Sequence, residues 1–225
     1  LLHRFWLIRH ALVHPQAMVK LYGTNDVPLC ETTMAEDAPR YAALAARLPH
    51  PARLVCSTLS RTWLTAAAIT KAGYPGQHFV QNPAFVEQNF GDFQGQPVGN
   101  FDVREDGRHP FWPINAAETP PNGESFDTMI ARVGAGLQTL LADTEGYKHT
   151  VIVCHGGTIR AAVAYALGLT AHQALCMAIE NISLTRLEYH DGNWRLVSLN
   201  EHYDIQPCES AAPATNMDVK PGVPA

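Results

Sequence analysis

Positive charge is scarce in this 225-residue chain, which carries 16 Lys and Arg against 21 Asp and Glu for a net charge of −5. The basic residues are scattered, whereas a nucleic-acid surface needs them clustered, so no nucleic-acid partner is expected. Cysteine is also sparse: Cys30, Cys56, Cys154, Cys176 and Cys208 are odd in number and far apart, and two lie in apolar segments. This pattern speaks for reduced thiols over a disulfide framework, and with it for a cytoplasmic location. No apolar run approaches the roughly 20 residues of a membrane helix, and the first residues lack the charged start and long apolar core of a signal peptide. No membrane partner is expected. Internal repeats are missing as well.

What the chain does have is enough apolar sequence, 46%, to bury a full core in one domain. Two apolar segments stand out because each ends in a histidine. The first is Phe5-Trp6-Leu7-Ile8, followed by Arg9-His10. The second is Thr150-Val151-Ile152-Val153-Cys154, followed by His155-Gly156-Gly157 and a helical pattern. Buried strands that place reactive residues at their carboxyl ends are the usual site-building device of open α/β sheets. The two glycines allow backbone N–H groups to approach an anion at a helix N-terminus.

Between these strands, residues 10–30 carry Pro15, Gly23, Asn25 and Pro28 and read as a long loop. Residues 35–48 read as an amphipathic helix with Pro39 near its first turn. Leu54-Val55-Cys56-Ser57 is a short strand, and the helix opening at Ser60 carries Arg61 in its first turn and ends before Gly73. A further short strand is expected over residues 77–81. Glu87 then stands among Phe85, Phe90 and Phe93, a setting that makes a carboxyl a candidate acid.

Residues 97–122 lack periodicity and read as an insertion or lid. Their Asp102, Arg104, Arg108 and His109 fit a solvated loop surface better than substrate contacts. Helices are expected over 126–143, 158–167 and 171–178, and a hairpin joined at Asp191-Gly192 over 183–199. The chain from 207 onward reads as a tail, leaving a single domain over 1–206. The order of elements predicts an α/β three-layer sandwich: a mostly parallel central sheet, helices on both faces and an antiparallel edge.

Four motifs, in order, resemble those of the histidine phosphatases, the superfamily that includes cofactor-dependent phosphoglycerate mutase. They are Arg9-His10-Ala11 with Asp26-Val27-Pro28-Leu29-Cys30-Glu31; Ser57-Thr58-Leu59-Ser60-Arg61 through Ala66; Glu87 through Gly95; and Gly123-Glu124-Ser125 with His155-Gly156-Gly157. The resemblance implies that His10 is a nucleophile that becomes phosphorylated. It implies that Arg9, Arg61 and His155 clamp the phosphoryl group and that Glu87 is the general acid. Gly156, Gln16, Tyr22 and Gly23 complete the expected phosphate-binding set. The implied scheme requires neither a metal nor a cofactor. It fits the demands of phosphoryl transfer, which are positioning and cationic groups around the equatorial oxygens.

The departures are Ala11 for a usual glycine, Gln16 for a usual asparagine, and Phe93 and Gln94 for Trp and Glu. The expected activity is phosphomonoester hydrolysis on a small phosphorylated metabolite, with a homodimer allowed. Four alternatives stay open: mutase-type phosphoryl transfer, phosphoprotein hydrolysis, non-catalytic phosphate binding, and a metallohydrolase using His10 and His14. The last is disfavoured because Pro15 denies those two a common helix.

Overall fold

The computed structural model describes residues 2–76, 78–102, 108–143 and 146–203, apart from the side chain of Asp102. Arg104, the start of the 77–81 strand and the 207–225 segment lie outside them. The described residues form a six-stranded sheet from β1 (Leu2–Arg9), β2 (Arg53–Cys56), β3 (Val80–Gln81), β4 (His149–Cys154), β5 (Leu184–His190) and β6 (Asn193–Glu201). The strand order is β3-β2-β4-β1-β5-β6. β1 to β4 run parallel, and β5 and β6 form the antiparallel edge. The hairpin turns at Asp191 and Gly192, both at positive φ (48° and 86°), as a two-residue turn of matching twist requires.

Eight α-helices are described: α1 (Pro15–Met18), α2 (Glu31–Glu36), α3 (Ala38–Arg47), α4 (Ser60–Lys71), α5 (Gly99–Asp102), α6 (Phe126–Ala142), α7 (Gly156–Leu167) and α8 (Ala171–Leu175). Alternate residues of the central strands feed two cores. Phe5, Leu7, Ile152 and Leu187 pack with Met129, Val133 and Leu137 of α6 and with Ile159 and Val163 of α7. On the other face Ile8, Val151, Val153 and Leu184 pack with Tyr41 and Leu44 of α3 and Ala66 and Ile69 of α4. This is the three-layer α/β arrangement the sequence predicts. Among the described residues no helix is long and apolar enough to cross a membrane.

Several elements differ in detail from the expectations. The helix expected over 35–48 is two helices, broken at Asp37, because Pro39 tolerates only the first turn of α3. The expected 10–30 loop contains α1, capped by His14 Nδ1 accepting from Gln16 N. α7 starts two residues earlier than expected, on the glycines themselves, and α8 stops short at Leu175. The 97–122 region is not merely a solvated loop. Phe101 and Ile114 are buried against Leu21 and Phe90, a third small core beside the sheet edge.

Candidate active site

The pairing of β1 with β4 places Arg9 opposite Cys154, so the residues that follow, His10 and His155, emerge side by side. Their ring centroids are 5.1 Å apart. Both are buried. The sheet register therefore makes the pair, although 144 positions separate them in sequence.

Local hydrogen bonds fix the state of each ring. His10 Nδ1 lies 2.7 Å from Ala11 O. A carbonyl only accepts, so Nδ1 carries the proton and Nε2 keeps its lone pair. Burial pushes the His10 pKa well below the ordinary value, and the Arg61 and Arg9 guanidinium groups push the same way, so the ring is neutral. Ala11 N donates to Thr65 Oγ1 at 2.9 Å, and Asn181 Nδ2 donates to His10 O at 2.8 Å, holding the backbone on both sides. Ala11 itself is buried in the α3/α4 core, where its methyl has packing partners.

His155 is held in the opposite sense. Arg61 Nε donates to its Nδ1 at 3.2 Å, which leaves the proton on Nε2, 2.8 Å from Ser57 Oγ. Burial first, and then Arg61, lowers its pKa well below the ordinary value. Arg61 is completely buried. It also donates from Nη1 to Asn25 O (2.9 Å) and from Nη2 to Gly23 O (2.6 Å). Three of its five N–H groups are thus used, and two remain.

The loop that receives Arg61 is itself pinned. Gln94 Oε1 accepts from Thr24 N (2.7 Å) and Thr24 Oγ1 (2.8 Å), and Asp26 Oδ1 accepts from Ser60 N (3.0 Å) and Ser60 Oγ (2.6 Å) at the start of α4. At Gly23 φ is +46°, and an added Cβ would stand 2.7 Å from Gln88 O, so the close approach needs glycine.

A cavity of about 310 Å3 opens above this layer. Arg9, Tyr22, Gly23, Glu87 and Gly156 line it; the buried His10, Arg61 and His155 are not in its lining, but each is bonded to or next in sequence to a lining residue. Arg9 Nη1 donates to Ile179 O at 2.5 Å, but its buried Nε has no partner among the described residues. The lining includes one carboxylate, Glu87, against Arg9, Lys20, Arg108 and Arg160. Glu87 Oε1 accepts from Gln88 N (2.9 Å) and Oε2 from Gly157 N (3.1 Å).

The expected site residues are therefore brought together, with one exception. Gln16 is exposed on α1 and is not among the cavity-lining residues, because α1 directs the chain past the cavity before Met18 reaches its wall. His14 caps α1 while His10 follows β1, so the two share no helix.

Glu124, the other motif carboxylate, is fully engaged. Arg132 donates to it from Nη2 (2.6 Å) and Nε (3.1 Å), and Asn89 N donates at 3.0 Å. Arg132 reads as a surface position in sequence, yet its Nη1 also donates to Ala84 O and Val86 O, clamping the segment that leads to Glu87. Arg160 is the residue missed altogether. It stacks over Trp112 at 5.3 Å and donates to Met177 O at 2.8 Å, and burial lowers its pKa to about 10. Its place three and four residues beyond Gly157 and Gly156, on the face of α7 that those cavity-lining glycines share, is the signal that could have found it. Arg108, expected on a solvated surface, lines the cavity, and His109 is buried. The reason is the small core of Phe101 and Ile114, which folds that segment over the cavity.

Comparison with known proteins agrees with this arrangement. Residues 5–202 match the histidine phosphatase superfamily (branch 1). The chain is 29% identical over 194 residues to the probable phosphoglycerate mutase GpmB of Enterobacter sp. (strain 638), covering 84% of this chain and 86% of that protein. Among solved structures it is similar to a mycobacterial glucosyl-3-phosphoglycerate phosphatase, with 27% identity, a TM-score of 0.75, and 88% and 98% of the two chains covered. A Bacillus anthracis (strain Sterne) phosphoglycerate mutase shares the fold at 20% identity and a TM-score of 0.70, with 89% and 93% covered. With the motifs, the sheet and the paired histidines all in register, this chain belongs to the histidine phosphatase superfamily, branch 1.

Proposed function

We propose that the protein is a metal-independent phosphomonoesterase that acts through a phosphohistidine at His10 on a small phosphorylated metabolite. The observation that carries this reading is the neutral His10 ring, whose Nδ1–H···O=C bond to Ala11 leaves the Nε2 lone pair for attack, with Arg61 and Arg9 close enough to act on the ring. In the first step Nε2 bonds to phosphorus as the ester P–O bond breaks, and protonated Glu87 gives its proton to the departing oxygen. Glu87 then takes a proton from the water that attacks the phosphohistidine, releasing phosphate and restoring the acid.

Arg9 Nε and the two remaining N–H groups of Arg61 are the donors for the equatorial oxygens, where charge must be balanced, and the Nε2–H of His155 joins them by exchanging its Ser57 Oγ partner for a phosphoryl oxygen. Gly156 opens α7 at the same place, and Tyr22 and Gly23 form the wall above Arg61. The likeness to the mycobacterial phosphatase supports hydrolysis, and the likeness to a probable phosphoglycerate mutase makes phosphoryl transfer the reading to be tested against it. The cavity size suits a compact leaving group.

The test is a panel of phosphomonoesters without added metal, in which phosphoglycerates are assayed for both phosphate release and isomerisation. Release without isomerisation is expected. Isomerisation as the main product would replace the hydrolase with a mutase, and no turnover of any ester would leave only binding.

A further inference from the structure

We propose that His109, His172 and Cys176 form a binding site for one zinc-class divalent metal ion, which ties the cavity-lining 108–113 segment to α8. The three side chains bring their ligand atoms within 4.8 Å of one another. They come from two places: His109 from the segment folded over the cavity, and His172 of α8 with Cys176, its C-cap, a helical turn apart on one face. None of them takes part in the phosphoryl-transfer scheme, so the proposal does not rest on it.

One edge of a tetrahedral site is nearly in place. His109 Nε2 lies 3.7 Å from Cys176 Sγ, and the rings of His109 and His172 are 4.5 Å apart. With metal–sulfur and metal–nitrogen bonds of about 2.3 and 2.0 Å, a tetrahedron has an S···N edge of about 3.5 Å. Little movement is needed, and the side chains that must supply it, His172 and Cys176, are exposed. The helix that carries them is fixed by a capping box between Thr170 and Gln173. His109 is buried and stacked against Phe111 at 5.9 Å, so one ligand is already ordered.

Two imidazoles and a thiolate select zinc, cobalt or copper over magnesium and calcium, which prefer oxygen ligands. On binding, the Cys176 thiol passes its proton to solvent, and a solvent oxygen completes four-coordination. His109 Nδ1 accepts from Phe111 N at 3.2 Å. Metal on Nε2 moves the ring proton to Nδ1 and so breaks that bond. Metal binding is thereby linked to the backbone at Phe111, on the cavity wall.

The experiment is a titration of the purified full chain with Co2+, followed by its thiolate-to-cobalt charge-transfer absorption. One equivalent is expected, displaced by Zn2+. The band should be absent in Cys176→Ser, retained in Cys30→Ser and His10→Ala, and bound roughly tenfold or more weakly in His172→Ala. Both α8 positions are exposed, so these variants should melt like wild type. No thiolate band at saturating Co2+, a band that survives Cys176→Ser, or unchanged affinity in His172→Ala would overturn the site.

Discussion

Gly157→Ala is the most pointed perturbation of the acid. A methyl added there overlaps Glu87 Oε1 outright and would sit 3.1 Å from Glu87 Cδ and 3.2 Å from Trp112 Cη2. Trp112 is held by its Nε1–H bond to Gln88 Oε1 at 2.7 Å, so the carboxyl is the group that must give way. Relief requires a shift of about 1 Å, and a misplacement of that size costs about a hundredfold in a positioned proton transfer. That is roughly 2.7 kcal/mol in the barrier. The loss should depend on the leaving group. An alkyl alkoxide needs the proton, whereas nitrophenolate departs with little help. Gly157→Ala should therefore slow a sugar-phosphate-type ester by about a hundredfold while leaving the pre-steady-state burst of nitrophenol within about fivefold of wild type. Glu87→Gln should show the same split. Equal losses on both esters in Gly157→Ala would refute the positioning argument, and the split found in Glu124→Gln but not in Glu87→Gln would move the acid.

Three further outcomes follow from the same geometry. Arg61→Lys removes the fork that serves His155, Asn25 and Gly23, so it should cut kcat/KM far more than Arg195→Lys on the exposed hairpin; equal effects would take Arg61 out of the site. Arg132→Ala strands Glu124 and two carbonyls and should lower unfolding free energy by about 2 to 3 kcal/mol in urea, whereas a loss below about 0.5 would deny the clamp. His3, His10 and His155 have folded-state pKa values depressed by burial, His3 to about 4. Only the unfolded chain binds those protons near pH 6.5, so their contribution to stability is full above that value and is lost as pH falls below it, for His3 through about 4. The urea midpoint should drop from pH 7.5 to 5, and the His10 and His155 ring signals in NMR should not titrate between pH 8 and 5.5; ordinary titration of either ring would contradict the assigned neutral states.

Much of the site was legible because its chemistry sits at strand ends. Two apolar runs that end in histidine predict the β1 and β4 termini, and parallel pairing does the rest. Helix starts were less legible. The glycines after His155 read as a turn, yet they form the first residues of α7, because burial of that turn outweighs their weak helix propensity. The 97–122 region defeated periodicity altogether. Its core consists of single residues, Phe101 and Ile114, that pack on Leu21 and Phe90 from distant segments, and no local pattern encodes such contacts. The same fold-over hid the placement of Arg108 and His109. The clamp made by Arg132 is not legible in the sequence because its partners Glu124, Ala84 and Val86 meet only in the folded chain.

The central claim is that His10 carries the phosphoryl group. The direct measurement is rapid quenching of the enzyme with a phosphate-labelled ester, kept alkaline to preserve an acid-labile phosphohistidine, followed by peptide mapping. The label should lie on the peptide containing His10, appear before steady-state phosphate release, and vanish in His10→Ala, which should stay folded and lose turnover. Label on any other residue, or turnover that persists in His10→Ala, would contradict the account.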